Sequence, residues 1–209
     1  MKKYSCIVAD PPWNFGDSLR KMKRKTKRSA VSQYKVMSTN DIKNINVPGI
    51  ADDKGCMLVM WVPSSLLLDG LSVLSHWGFT FKGTYVWVKL KKDHRKEPDI
   101  NKSTRVGMGR LFRQSHEIAI IGMKGSLYKN LSNKSQRSVS FALNTGHSIK
   151  PSNLQDSIDD MFPSLAKIEL FARRTRTGWD VLGDAVTGID INDSIEQIIN
   201  EKEEENVEV

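Results

Sequence analysis

Asp10-Pro11-Pro12-Trp13 is the stretch of this sequence best equipped to do chemistry. Asp10 supplies a carboxylate acceptor. Pro11 and Pro12 stiffen the loop and leave their carbonyls free to accept, and Trp13 adds a flat apolar plate with one N–H donor. A planar base with an exocyclic amine offers the complement, two N–H donors and a π face. Asp10 can accept one N–H and the Pro11 carbonyl the other, while Trp13 stacks on the ring. An amine lone pair delocalised into such a ring is a poor nucleophile. Two acceptors on its hydrogens favour a tetrahedral nitrogen and free the lone pair for an electrophile held in line. The proton need not leave first, because it becomes acidic only once the nitrogen is cationic. A strand closed by an ordinary Asp-Pro turn is the plainer reading of the same residues.

The elements around this motif place it. Cys6-Ile7-Val8-Ala9 is short and wholly apolar, as a buried parallel strand is, and the prolines end it. Asp10 then stands at the carboxyl end of a strand, where ligands bind in open α/β sheets. A second buried strand is predicted over residues 57–62, with Trp61 near the same rim. Pro63 stops it, Ser64 or Ser65 caps a helix with Leu66, Leu67, Leu71, Val73 and Leu74 on its apolar face, and Gly78 ends that helix. Ser38 to Asp41 reads as the cap of a short helix over residues 42–45, closed by Val47-Pro48-Gly49. Further strands are predicted over 84–89, 118–122, 167–171 and 179–182, and helices over 154–161 and 194–205. Residues 89–113 and 126–140 read as long polar loops. The fold class is α/β: alternation of strands and helices predicts a parallel central sheet with helices on both faces.

Composition narrows the function. The chain has 209 residues, a formal net charge of +8 and an acidic end at Glu201-Lys202-Glu203-Glu204-Glu205, so its body is more basic than the total. That favours a polyanionic partner such as nucleic acid. Arg20-Lys21-Met22-Lys23-Arg24-Lys25-Thr26-Lys27-Arg28 holds seven cations and no acid. Directly after the reactive motif, Arg20, Lys21, Lys23, Arg24 and Lys25 are candidates to grip phosphates, a solvated loop being the alternative. No run approaches the roughly 20 apolar residues of a membrane span, and the start lacks an apolar signal region. Cys6 and Cys56 lie in strand-like runs and read as reduced buried thiols of a cytoplasmic protein. No Cys/His cluster has metal spacing, so no metal is expected.

The motif continues into a wider pattern. It is followed by Tyr34-Lys35-Val36-Met37-Ser38, Met57-Leu58-Val59-Met60-Trp61-Val62, Trp77-Gly78-Phe79, Val86-Trp87-Val88-Lys89, His116-Glu117 and Gly122-Met123-Lys124-Gly125. The pattern closes with His147-Ser148-Ile149-Lys150-Pro151, Lys167-Ile168-Glu169-Leu170-Phe171-Ala172-Arg173 and Gly178-Trp179-Asp180-Val181-Leu182-Gly183. In this order the segments resemble the adenine-N6 methyltransferase family of the eukaryotic messenger-RNA N6-adenosine methylation enzymes and their bacterial and phage DNA relatives. The resemblance covers roughly residues 4 to 190.

The resemblance implies a Rossmann-like methyltransferase fold, circularly permuted, with the catalytic strand first and the cofactor strand last. It implies S-adenosylmethionine as cofactor. Asp10, Pro11, Pro12 and Trp13 are then the catalytic set, with Asp10 beside the donor. Lys150 can pair with the donor's carboxylate. Phe171 can line its pocket, Arg173 can hold ribose or a carboxylate, and Asp184 can accept from ribose hydroxyls. Glu169 is expected to pair with a nearby cation structurally. Tyr34, Trp61 and Glu117 fall on the target-base side, with core packing the alternative for each. Residues 1–192 read as one methyltransferase domain, with basic loops near 16–33 and 90–113, and 193–209 as a C-terminal helix and acidic tail.

Three functions fit this pattern. The first is a DNA adenine-N6 methyltransferase of a bacterium or of a phage-infected cell. The second is an RNA adenosine methyltransferase of the same chemistry, and the third a non-catalytic nucleic-acid-binding partner subunit. DNA is favoured over RNA by the short chain, and catalysis is favoured by the intact motif and Lys150. A homodimer or paired subunit is also compatible.

Overall fold

The computed structural model describes residues 2–14, 36–107, 109, 111–146 and 149–200. Tyr34, the basic run from Arg20 to Arg28 and the acidic tail from Glu201 lie outside the described residues.

A seven-stranded sheet forms the centre, in the order β5-β3-β4-β2-β1-β6-β7. The strands are β1 Cys6–Ala9, β2 Gly55–Val62, β3 Thr80–Leu90, β4 His116–Gly125, β5 Val139–Leu143, β6 Lys167–Leu170 and β7 Asp180–Leu182. β1 lies parallel between β2 and β6, so the first strand of the chain is central and the last two extend the sheet beside it. Every residue of β1 and β2 is buried, which explains why both read as unbroken apolar runs rather than alternating ones.

The helices are α1 Thr39–Lys43, α2 Val47–Ile50, α3 Leu67–His76, α4 Ile100–Ser103, α5 Asn153–Met161, α6 Asp184–Thr187 and α7 Ile191–Asn200. Side-chain alternation along the central strands feeds two cores. Ile7, Ala9, Leu58 and Met60 meet Ile42 of α1, Val73 and Leu74 of α3, and Ile191 and Ile195 of α7. Cys6, Val8, Val59 and Trp61 meet Tyr85, Trp87 and Leu154 and Ile158 of α5 on the other face. Both cysteines are free and buried, and burial pushes the Cys6 thiol up to about 12. No helix among the described residues is long and apolar enough to cross a membrane.

Several local expectations hold. Ser38 caps α1 in a reciprocal box with Asp41, and Gly78 follows α3 at φ 80°. Others are corrected. The sheet is parallel except for β4, which runs antiparallel between β2 and β3. The long connection from β3 lets the chain return alongside it. Val47-Pro48-Gly49 does not end helical structure. Pro48 falls in the first turn of α2, where its missing N–H costs nothing, and the Asn46 side chain accepts from Gly49 N at 3.0 Å. The segment read as a loop over 126–140 runs into β5, an edge strand pairing with residues 86–90. Within the basic connection after β3, α4 is tied down by the Ser103 hydroxyl, 3.2 Å from the carbonyls of His94, Glu97 and Asp99.

Candidate active site

Asp10 leaves β1 at its carboxyl end, its N–H 3.3 Å from the Leu170 carbonyl of β6. The two proline carbonyls are not free, as the sequence suggested. Pro11 O accepts from Trp13 N at 2.9 Å, and Pro12 O accepts from Met37 N at 2.9 Å. A proline has no donor of its own, but its carbonyl still collects those of its neighbours. Each oxygen keeps a second lone pair for a ligand. Trp13 is only 5% exposed, and its indole N–H donates to the Trp61 carbonyl at 2.9 Å. It is a fixed wall, with Trp61 behind it at 3% exposure and edge-on to Tyr85.

A chain of four charges crosses the site. The Lys150 ammonium is 2.8 Å from both oxygens of Asp10 and 3.3 Å from Glu117 Oε2, and Lys89 pairs with Glu117 Oε1 at 2.5 Å. Lys150 also lies 5.4 Å above the Trp61 ring, a cation–π distance. Burial alone would push the Lys150 ammonium down, but Asp10 and Glu117 outweigh it and hold it above its ordinary value. Burial pushes Glu117 up, and Lys150 and Lys89 hold it below its ordinary value instead. The cluster sets two carboxyl groups against two amino groups, each in contact with a partner of the other kind.

Two cavities meet at Asp10. The smaller, about 350 Å³, is lined by Asp10, Pro11, Pro12, Trp13, Trp61, Glu117 and Lys150. The larger, about 820 Å³, is lined by Asp10, Pro12, Phe171, Arg173 and Asp184. Arg173 is exposed and borders both. Of the residues expected at a donor, Phe171, Arg173 and Asp184 are thus brought together around the larger cavity, and Lys150 stands in the smaller one. Trp61 and Glu117 line the smaller cavity with the motif. Tyr34 and the five basic candidates lie outside the described residues.

The larger cavity is built on a strained turn. Phe171, directly after β6, has φ 61°, a left-handed conformation that costs a non-glycine residue roughly 1–2 kcal/mol. Gly183, directly after β7, packs against this turn. A Cβ there would stand 2.5 Å from Ala172 O and 2.7 Å from Ala172 N, both backbone atoms. Gly183→Ala is therefore expected to destabilise the protein by roughly 1–3 kcal/mol and to open the turn. Thermal melts should show the loss; an unchanged melting temperature would mean that the turn yields freely.

Sequence reasoning missed several lining residues. Lys89 and His116 border the smaller cavity with Gln114 and Ser64, and Asn44, Asp190 and Asn192 border the larger. Lys89 belongs to a segment that carried the family pattern, but only the pairing of Trp87 with Glu117, on the face that Trp87 shares with Lys89, brings it to Glu117. Among the described residues Glu169 makes no ion pair with a cation. The Gln155 amide donates to its Oε2 at 3.2 Å.

The chain is similar to several known methyltransferases. The type II methyltransferase M.MunI of a Mycoplasma species is 29% identical over 195 residues, covering 87% of this chain and 77% of that protein. The N(6)-adenosine-methyltransferase catalytic subunit METTL3 of Homo sapiens is 25% identical, covering 91% of this chain and 30% of that protein. An MT-A70-like putative N(6)-adenosine-methyltransferase of Medicago truncatula is 27% identical and is covered over 28% of its length. The chain thus spans under a third of these two plant and animal relatives. The MT-A70 family profile matches residues 4–185, most of the chain, and the chain belongs to the MT-A70 family.

Proposed function

We propose that this chain transfers the methyl group of S-adenosylmethionine to the N6 amine of adenine in nucleic acid, with DNA as the substrate. The observation that carries this reading is Asp10 at the junction of two cavities. One can take a methyl donor and the other a flipped base, with the acceptor carboxylate between them.

The residues of the larger cavity fit the donor. About 820 Å³ is room enough for a nucleoside joined to an amino acid. Phe171 gives an apolar wall, Asp184 an acceptor for ribose hydroxyls and Arg173 a cation for a carboxylate. S-adenosylmethionine supplies an electrophilic methyl group on a cationic sulfur. On the other side, Asp10 and the second lone pair of the Pro11 carbonyl accept the two N–H groups of the target amine. Trp13 and Trp61 wall the ring. Asp10, held by the Lys150 ammonium at 2.8 Å, is an acceptor for the amine until the nitrogen becomes cationic, and can then take its proton. Lys150 acts here through Asp10, because its contacts are to Asp10 and Glu117 in the smaller cavity.

The choice of DNA is supported by the relative matched over most of its length, a type II methyltransferase. The word subunit in the name of METTL3 supports pairing with a second chain, its own copy or another. The test is labelled S-adenosylmethionine with duplex DNA, single-stranded DNA and RNA, followed by nucleoside analysis. Label in N6-methyladenine of DNA is the expected result. Label confined to RNA moves the substrate, and label in cytosine, or in no nucleic acid, overturns the proposal.

A further inference from the structure

Beneath the site lies a part-buried pair that the mechanism does not use. Glu169 is on β6, level with Val8 of β1, so it shares a face with Asp10 two residues further along the pleat. Above it on α5, Gln155 is 3% exposed. The Gln155 amide nitrogen donates to Glu169, but its carbonyl oxygen is buried with no donor among the described residues. A carboxylate has only lone pairs to offer that oxygen. Turning the amide over does not help, since its carbonyl would then face the carboxylate.

We propose that Glu169 is held as a neutral carboxylic acid against the Gln155 amide, and that this acid–amide pair is a clamp fixing the end of β6 that carries Phe171 and Arg173. The O–H of the acid supplies the donor that Gln155 Oε1 lacks, while the N–H bond to Glu169 stays. The purpose of the clamp rests on the reading of the larger cavity as the donor site.

Charge balance supports a neutral Glu169. On one side Asp10 and Glu117 are matched by Lys150 and Lys89. On the other, Asp156 and Asp159 of α5 are matched by Arg176 and by Lys167 on Glu169's own strand. Cys6 of β1 is a neutral thiol, and Asp180 of β7 is level with Ile168, on the opposite face, where Lys2 and Tyr4 hold it. Among the described residues Glu169 makes no ion pair; Arg174 and Arg176 act on it only through space. Burial pushes the Glu169 carboxyl above its ordinary value, against the pull of the Gln155 amide and of Arg174, and the Asp10 charge adds to the rise.

Infrared spectroscopy of the free protein at pH 7 tests the proton directly. The proposal expects a protonated-carboxyl carbonyl band that moves on 13C-glutamate labelling, shifts in Gln155→Leu and is lost in Glu169→Gln. Absence of the band from the parent, or its survival in Glu169→Gln, overturns the proposal. The labelling arm needs no variant, so a misfolded substitution does not block it. The clamp is read by calorimetric titration with S-adenosylhomocysteine across pH. Parent affinity should fall on the alkaline side, approaching tenfold per pH unit beyond the Glu169 midpoint, whereas Glu169→Gln, which keeps the neutral shape, should stay flat. Matching profiles for parent and variant overturn the clamp. Failure to bind at any pH counts against the donor site itself, and the infrared band still decides the proton.

Discussion

Replacing Asp10 with alanine abolishes methyl transfer while leaving the protein folded and able to bind its donor. Among the described residues Asp10 is the one carboxylate that lines both cavities, with Pro12 beside it in each. Without it the target amine loses an acceptor at the moment its nitrogen must become tetrahedral, and the cationic nitrogen loses the group that takes its proton. Losses for a positioned acid–base group run to roughly 10²–10⁴-fold, and the activating acceptor is removed in the same step. The substitution is a clean one. Lys150 keeps Glu117 at 3.3 Å and the Trp61 ring at 5.4 Å, so no ammonium is stranded. The backbone bond from residue 10 to Leu170 needs no side chain. Donor affinity should therefore stay within about tenfold, or about 1.4 kcal/mol. Single-turnover transfer and calorimetric titration of the variant measure the two halves. Turnover near that of the parent would remove Asp10 from the mechanism.

Lys150→Ala is expected to cost roughly 3 kcal/mol of stability at neutral pH, because it strands the Asp10 carboxylate in a mostly buried site and leaves Glu117 with Lys89 alone. The Lys150 side chain is 15% exposed and that of Asp10 18%. The pH dependence identifies the cause. Glu117 stands below its ordinary value of 4.5 in the folded protein, so its contribution is present above that value and is lost as pH falls through the lowered one. Lys150 stands above its ordinary value of 10.5, so its contribution is present below that value and is lost as pH rises through the raised one. The stability gap between parent and variant should therefore be widest between those two ordinary values and shrink outside them. Denaturant titrations over a pH series measure it. A gap independent of pH would mean that Lys150 acts by packing on Trp61 rather than by charge.

The frame of this site was legible from single residues. The apolar runs of β1 and β2, the prolines after Asp10, the Ser38 cap and Gly78 each act locally, and local chemistry survives into the fold. The charge chain was not legible. It joins residues 10, 89, 117 and 150, and depends on β4 turning antiparallel so that Trp87 pairs with Glu117. No spacing in the sequence encodes that register. β5 was hidden because this edge strand buries none of its residues, its apolar Val139, Phe141 and Leu143 being exposed, and because it follows a serine- and lysine-rich run. The proline carbonyls were misread for a related reason: residue type tells what a group can accept, whereas the fold decides what is brought to it. The Gln155–Glu169 contact joins a helix to a strand across the sheet face, and the motif that holds Glu169 gives no sign of it.

The central claim is that donor and acceptor occupy separate cavities that meet at Asp10. A crystal structure with S-adenosylhomocysteine tests it most directly. The account predicts the molecule in the larger cavity, against Phe171, Gly183 and Asp184, with its sulfur turned toward Asp10 and the space beside Trp61 left open for the base. Density for it in the smaller cavity, between Trp61, Glu117 and Lys150, would contradict the account.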